Sequence, residues 1–146
     1  IINNLRQISR NLHPSMFERL RLKSSIEDLV AKLQDNQDFF ISADIEYNNS
    51  LNVDVELQLY RIMQETLNNI IKHSKAKAVL IVLKENEDNI VLEIKDNGIG
   101  FNFKEKFESK KSFGIHSIVQ RANSIGAKIT VNSNSLGTVV NLEIKK

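Results

Sequence analysis

The chain has 146 residues, with 20 Lys and Arg against 18 Asp and Glu for a formal charge of +2, 41% hydrophobic residues and no Cys. That length holds one domain with a sizeable core and excludes a second large one. The missing cysteines exclude disulfides, thiolate nucleophiles and Cys-bound zinc, while basic residues interleaved with acids lead us to expect no nucleic-acid partner.

No apolar run approaches the ~20 residues of a membrane span. A cytoplasmic location is expected, and without an initiating Met the chain is expected to start inside a longer protein. Ile1, Leu5, Ile8 and Leu12 recur at helical spacing, so a short helix is expected to stop near His13, where Pro14 forces the preceding residue to be extended. Ser24 and Glu27 form a capping box that predicts a helix through Ile26, Leu29, Val30 and Leu33 to about Gln34. A strand is read from Asp38 to Tyr47.

The strongest helical signal runs from Val53 to His73, where Leu59, Ile62, Met63, Thr66, Leu67, Ile70 and Ile71 keep the helical period. Arg61, Glu65, Asn68, Asn69 and Lys72 share its opposite face. Strands follow at Ala78 to Lys84 and Ile90 to Lys95, joined by a turn at Asn86 to Asn89. Asp96 to Ser112 reads as a long loop, with four Lys and two Glu between Lys104 and Lys111. A helix containing Ile115, Ile118, Val119, Ala122 and Ile125 ends at Gly126, and strands at Lys128 to Asn132 and Thr138 to Ile144 complete the chain. Helices interleaved with largely antiparallel strands predict one sheet with helices on one face.

Four constellations carry candidate chemistry. Glu65 and Asn69 stand one turn apart with Lys72 beyond them, a row able to offer hard oxygens to a cation and a positive charge to a phosphate, though such spacing also suits a solvated helix face. Asp96, Gly98 and Gly100 follow a strand directly, fitting either a carboxylate facing a ligand or a simple turn. Phe113-Gly114-Ile115 opens a helix, where free N–H groups favour a phosphate or merely start a helix. Gly137-Thr138 enters the last strand, where a hydroxyl can hold a polar ring edge or only fit the strand.

In that order, from about Leu57 to Ile144, these elements resemble the ATP-binding domain of two-component sensor histidine kinases. Asn11-Leu12-His13-Pro14 resembles the junction that follows the dimerisation hairpin in the subfamily often paired with LuxR-type response regulators. The resemblance implies an α+β fold of the Bergerat type, a two-layer sandwich with a mixed sheet covered by helices on one face. It implies a junction over residues 1–14 and an ATP-binding kinase domain over 15–146. It assigns Asn69 and Glu65 to Mg²⁺, Lys72 and His73 to the phosphates, and Asp96 to the adenine amine. Gly98 and Gly100 pass the base, Gly114 belongs to the lid, and Thr138 lies near the adenine. Ser112 and Ser135 stand where relatives usually carry glycines of the lid and of the turn before the last strand.

The implied activity is transfer of the γ-phosphoryl of Mg-ATP to a histidine on an upstream hairpin, for relay to a response regulator. The implied assembly is a homodimer of the whole protein and a monomer of this segment. No His here precedes an acidic residue, so His13 is expected to be a junction residue and His116 a surface one. Two alternatives stay open at this point: a serine kinase of the anti-sigma-factor type, and a degenerate nucleotide-binding docking module.

Overall fold

The computed structural model describes residues 14–36, 38–109 and 113–146. Helix α1 spans Pro14–Asn36, strand β1 Phe40–Glu46 and helix α2 Val53–Asn69, which continues into a π-helical turn at Ile70–Ser74. Strands β2 (Ala78–Glu85) and β3 (Asn89–Asp96) form a hairpin. A short helix α3 (Phe103–Glu108) and helix α4 (Phe113–Ser124) follow, then the hairpin of β4 (Lys128–Asn134) and β5 (Gly137–Lys145).

The five strands make one sheet in the order β1-β2-β3-β5-β4, with β1 parallel to β2 and the other neighbours antiparallel. The parallel pair follows from its connection: α2 carries the chain back across the sheet between β1 and β2, the way parallel strands must be joined. Alternate residues of the inner strands point to one buried face, including Ile81 and Leu83 of β2, Ile90, Leu92 and Ile94 of β3, and Val140, Leu142 and Ile144 of β5. Leu59, Ile62, Met63 and Leu67 of α2 meet them and are at most 1% exposed. Full burial of each such side chain contributes about 1.5–3 kcal/mol relative to leaving it in water, so this stripe fixes α2 on the sheet. The mixed sheet with helices on one face is the α+β architecture expected from the sequence.

Three local expectations are corrected. The helix expected from Ser24 through Ile26, Leu29, Val30 and Leu33 is present but starts about three residues earlier: a break at Arg21, with φ 62° and ψ −179°, divides α1 into two helical stretches, and the second begins just after it. A tertiary ion pair outweighs the local signal there: the Arg21 Nε donates to Glu56 Oε2 at 2.6 Å. The long helix does not stay α-helical to His73 but widens at Ile70–Ser74, where Ser74 Oγ donates back to the Ile70 carbonyl. The loop expected from Asp96 to Ser112 contains α3, whose first turn is capped by Asn102 Oδ1 accepting from Glu105 N–H at 3.1 Å. The helix expected before His13, the junction and Ser112 lie outside the described residues. Among the described residues no helix is long and apolar enough to cross a membrane.

Candidate functional site

A cavity of about 800 Å³ opens between α2, α4, the ends of β3 and β5, and the segment containing α3. Its position follows from the topology. The hairpin of β4 and β5 places β5 beside β3, so Thr138 lies directly opposite Asp96, while α2 and α4 form the opposite wall.

Asp96 forms the floor. It is the last residue of β3 and is buried, and its Oδ1 accepts from the Gly98 N–H at 2.8 Å. Burial pushes its carboxyl above the usual aspartate value, against the pull of backbone donors from Gly98 and Thr138. A buried carboxylate with only these amide donors keeps acceptor capacity that it can direct into the cavity. The chain then leaves along the rim through Ile99, whose N–H donates to the Ser74 carbonyl at 2.8 Å, so the π-helical turn holds the strand exit in place. At Gly100 φ is +71°, and an added Cβ would lie 1.9 Å from the Asn134 carbonyl oxygen, so no larger residue fits.

Glu65 and Asn69 define the other end. An added Cβ at Gly114 would stand 2.6 Å from Glu65 Oε1 and 3.1 Å from Asn69 Oδ1, so both oxygens converge on one point beneath the first turn of α4. This face of α2 is therefore no open solvated surface. Arg121 of α4 reaches it as well, donating to Gln58 Oε1 at 2.8 Å, while the buried Asn68 Oδ1 is left without a partner. Lys72 and His73 are exposed at the mouth and line the cavity with Lys106 of α3. Partial burial, then Lys106 and Lys72, hold the His73 imidazole below its ordinary value. Lys72 and Lys106 thus place positive potential in the cavity that Glu65 and Asn69 line, while His73 is held towards its neutral form.

The cavity lining includes Glu65, Asn69, Lys72, His73, Asp96, Gly100, Gly114 and Thr138, with Gly98 just behind Asp96. His116 is exposed as expected, yet its ring packs on Phe107 at 4.6 Å between centroids. Phe107 continues to Phe103 at 5.7 Å and Phe103 to Phe101 at 6.5 Å, a ladder of rings along the cavity mouth. Lys106 lies 5.1 Å from the Phe101 centroid. The sequence reading did not single out Phe101, Lys106, Ser74 or Ser133. For Phe101 a signal existed, an aromatic beside an Asn102 cap, whereas Ser74 contributes a backbone carbonyl that no side-chain pattern reveals.

Residues 54–146 match the family model described as histidine kinase-, DNA gyrase B-, and HSP90-like ATPase. The chain belongs to this ATPase family. Among curated relatives it is 33% identical to the sensor histidine kinase ComP of Bacillus subtilis over 99% of this chain and 19% of ComP. It is 32% identical to the sensor histidine kinase LiaS of the same organism, over 97% of this chain and 39% of LiaS. The sensor protein VraS of Staphylococcus epidermidis is 34% identical over 88% of this chain and 36% of its own length. The chain thus spans only about a fifth to two fifths of these relatives. Among solved structures, the histidine kinase domain of the Erythrobacter litoralis EL346 blue-light activated kinase superposes with TM-score 0.72 at 16% identity, covering 84% of this chain and 64% of that one. The Acinetobacter baumannii histidine kinase AdeS gives 0.70 at 15%, covering 99% and 74%. These two share the fold. As a member of this ATPase family, the domain is of the ATP-binding kind that sensor histidine kinases carry.

Proposed function

We propose that this ATPase domain holds Mg-ATP across the cavity and delivers its γ-phosphoryl to a histidine on an upstream helical hairpin, for relay to a response regulator. One observation carries the reading: a buried carboxylate, Asp96, at one end of the cavity, and the converging oxygens of Glu65 and Asn69 at the other.

Asp96 accepts from the adenine amine, with Thr138 beside it, and the strand exit through Gly98 and Gly100 lets the base lie flat against the backbone. Glu65 and Asn69 hold the metal. One carboxylate and one amide oxygen suit Mg²⁺, which takes few protein ligands and keeps its remaining positions for water and substrate phosphates. A Mg²⁺ bound there would supply neutralisation of the phosphate charge. Lys72, His73 and Lys106 steer the phosphates, and the ring ladder on α3 shields them from bulk water. The Gly114 N–H points from the start of α4, where helix polarity favours negative charge.

The protein's part in phosphoryl transfer is positioning and charge complementarity, so the reaction depends on bringing an acceptor within reach. A homodimer of the whole protein, working in the cytoplasm, supplies that acceptor in this reading. γ-Labelled ATP tests it: the 146-residue chain alone should take up no label, and a chain extended to include the upstream hairpin should take up acid-labile, base-stable label. Acid-stable label on Ser or Thr would contradict the histidine assignment, and acid-labile label on the 146-residue chain that His13→Gln abolishes would move the acceptor into this chain.

A further inference from the structure

The register places three polar side chains in one row across three strands: Asp96 of β3 opposite Thr138 of β5, and Thr138 opposite Ser133 of β4. Directly opposed residues share a face and lie within reach of one another. Hydrogen bonds tie its Ser133 end, and the Asp96 end is neighboured by the Thr138 backbone. The Thr138 backbone amide serves the Asp96 carboxylate, and Ser133 Oγ lies 2.6 Å from Thr138 Oγ1. Ser133 Oγ also accepts from the Phe101 N–H at 2.8 Å. Asp96 and Thr138 face the main cavity, whereas Ser133 lies behind Thr138, on a shallow groove on the far side of the Gly100–Phe103 segment.

A hydroxyl carries one hydrogen and accepts through two lone pairs. The Phe101 amide occupies one lone pair of Ser133, and the hydrogen of Ser133 has Thr138 Oγ1 as its nearest acceptor. With Ser133 as donor, the Thr138 hydrogen is left to point into the cavity. With Thr138 as donor, the cavity would meet only lone pairs. We propose that Ser133 is a positioning residue that sets the Thr138 hydroxyl as a donor towards the bound base, making purine selection depend on a side chain that does not touch the nucleotide. This rests on the assignment of Asp96 and Thr138 to the adenine.

The chemistry is specific. Along its Watson–Crick edge adenine offers a donor at N6 and an acceptor at N1, which match an acceptor carboxylate beside a donor hydroxyl. Hypoxanthine offers the reverse at both atoms. Without Ser133 the Thr138 rotor is free to accept as well as donate, so its contribution to choosing N1 is lost, while Asp96 still reads N6. Because Ser133 also holds the Phe101 amide, its removal loosens the Gly100–Phe103 segment at the cavity rim, an effect that weakens all nucleotides alike and must be separated from the first.

The separating experiment is a functional-group cycle on the 146-residue chain, using calorimetry with ATP and with 1-deaza-ATP, in which a C–H replaces N1. The native chain should prefer ATP, and Ser133→Ala should reduce that preference by about threefold to tenfold, the worth of one net hydrogen bond. Ser133→Thr, which keeps the hydroxyl and suits a strand, should restore the preference. A Ser133→Ala chain that binds both nucleotides more weakly by the same factor would overturn the inference, leaving Ser133 a purely structural anchor of Phe101. Asp96→Asn in the same series keeps the two levels apart. If it leaves ATP affinity untouched, the adenine assignment itself fails; if it weakens ATP while Ser133→Ala leaves the ratio unchanged, only the inference about Ser133 fails.

Discussion

Asp96 is costly to the empty protein. Its folded value is raised above 3.8 by burial, so in the pH range just above 3.8 the folded chain keeps a proton that the unfolded chain has released. Stability associated with this group is therefore present below the unfolded value and is lost as pH rises through the folded one. Asp96→Asn, which can still accept from the Gly98 amide, should make the unliganded domain at least as stable as the native chain at pH 7. The stability gap between the two should close as pH falls towards 4. Urea unfolding across that range checks the sign. The same variant should lose about tenfold to a hundredfold in ATP affinity, the worth of a hydrogen bond to a charged group. An acid retained at a destabilising position is what a binding group looks like in energetic terms.

Between α1 and α2 lies the least expected feature of the fold. Arg21 sits in backbone geometry that L residues seldom adopt, at a cost of about 1–3 kcal/mol. It is held by Glu56, which is 0% exposed and whose second oxygen accepts from the Tyr47 hydroxyl at 2.6 Å. Arg21 also donates to the Leu51 carbonyl at 2.9 Å. Burial, with Glu56 second, pushes the Tyr47 hydroxyl well above its ordinary value, so Tyr47 remains a donor. Arg21→Ala removes the partner of a buried carboxylate while keeping the backbone strain, and should destabilise the domain by about 3 kcal/mol, the low end for a broken buried pair because Arg21 is partly exposed. Arg21→Gly loses the same pair but relieves the strain, so it should be the milder change by about 1 kcal/mol in urea unfolding. No window of local sequence contains both Arg21 and Glu56, and so the helix signal at Ser24 misplaced the break.

Helix α3 was more legible than its reading as a loop implied. Asn102 followed three residues later by Glu105 is a helix-start pattern, but the Lys and Glu run after it masked a single turn and a half supported by the ring ladder. That support is thin. Amide exchange across residues 103–109 should be fast in the empty domain and slow with Mg-ATP bound, and His116→Ala, by removing the ring under Phe107, should speed it in both states. Equal rates with and without nucleotide would remove α3 from the site.

At the scale of the whole molecule, the sheet order brings distant segments to one cavity: α2 from the middle of the chain, the β3 exit after it, α4, and the β5 start near the end. Most of this was readable because each piece carries its own signal. The period of α2 set Glu65 and Asn69 on one face, and the alternation of β3 and β5 set Asp96 and Thr138 on buried positions. What was not readable depended on register. Ser133 is one polar residue in an alternating edge strand until pairing puts it opposite Thr138, and the widening of α2 at Ile70–Ser74 makes sense only once Ile99 needs the Ser74 carbonyl.

The division of the cavity into a base end at Asp96 and a metal-phosphate end at Glu65 and Asn69 is tested most directly by ATP calorimetry with and without Mg²⁺ on the native chain, Asp96→Asn and Asn69→Ala. Asp96→Asn should weaken binding by a similar factor in both conditions. Asn69→Ala should weaken it by about tenfold with Mg²⁺ and hardly at all without, because its oxygen acts through the cation. Equal losses for Asn69→Ala in the two conditions, or ATP binding unaffected by either substitution, would contradict that division.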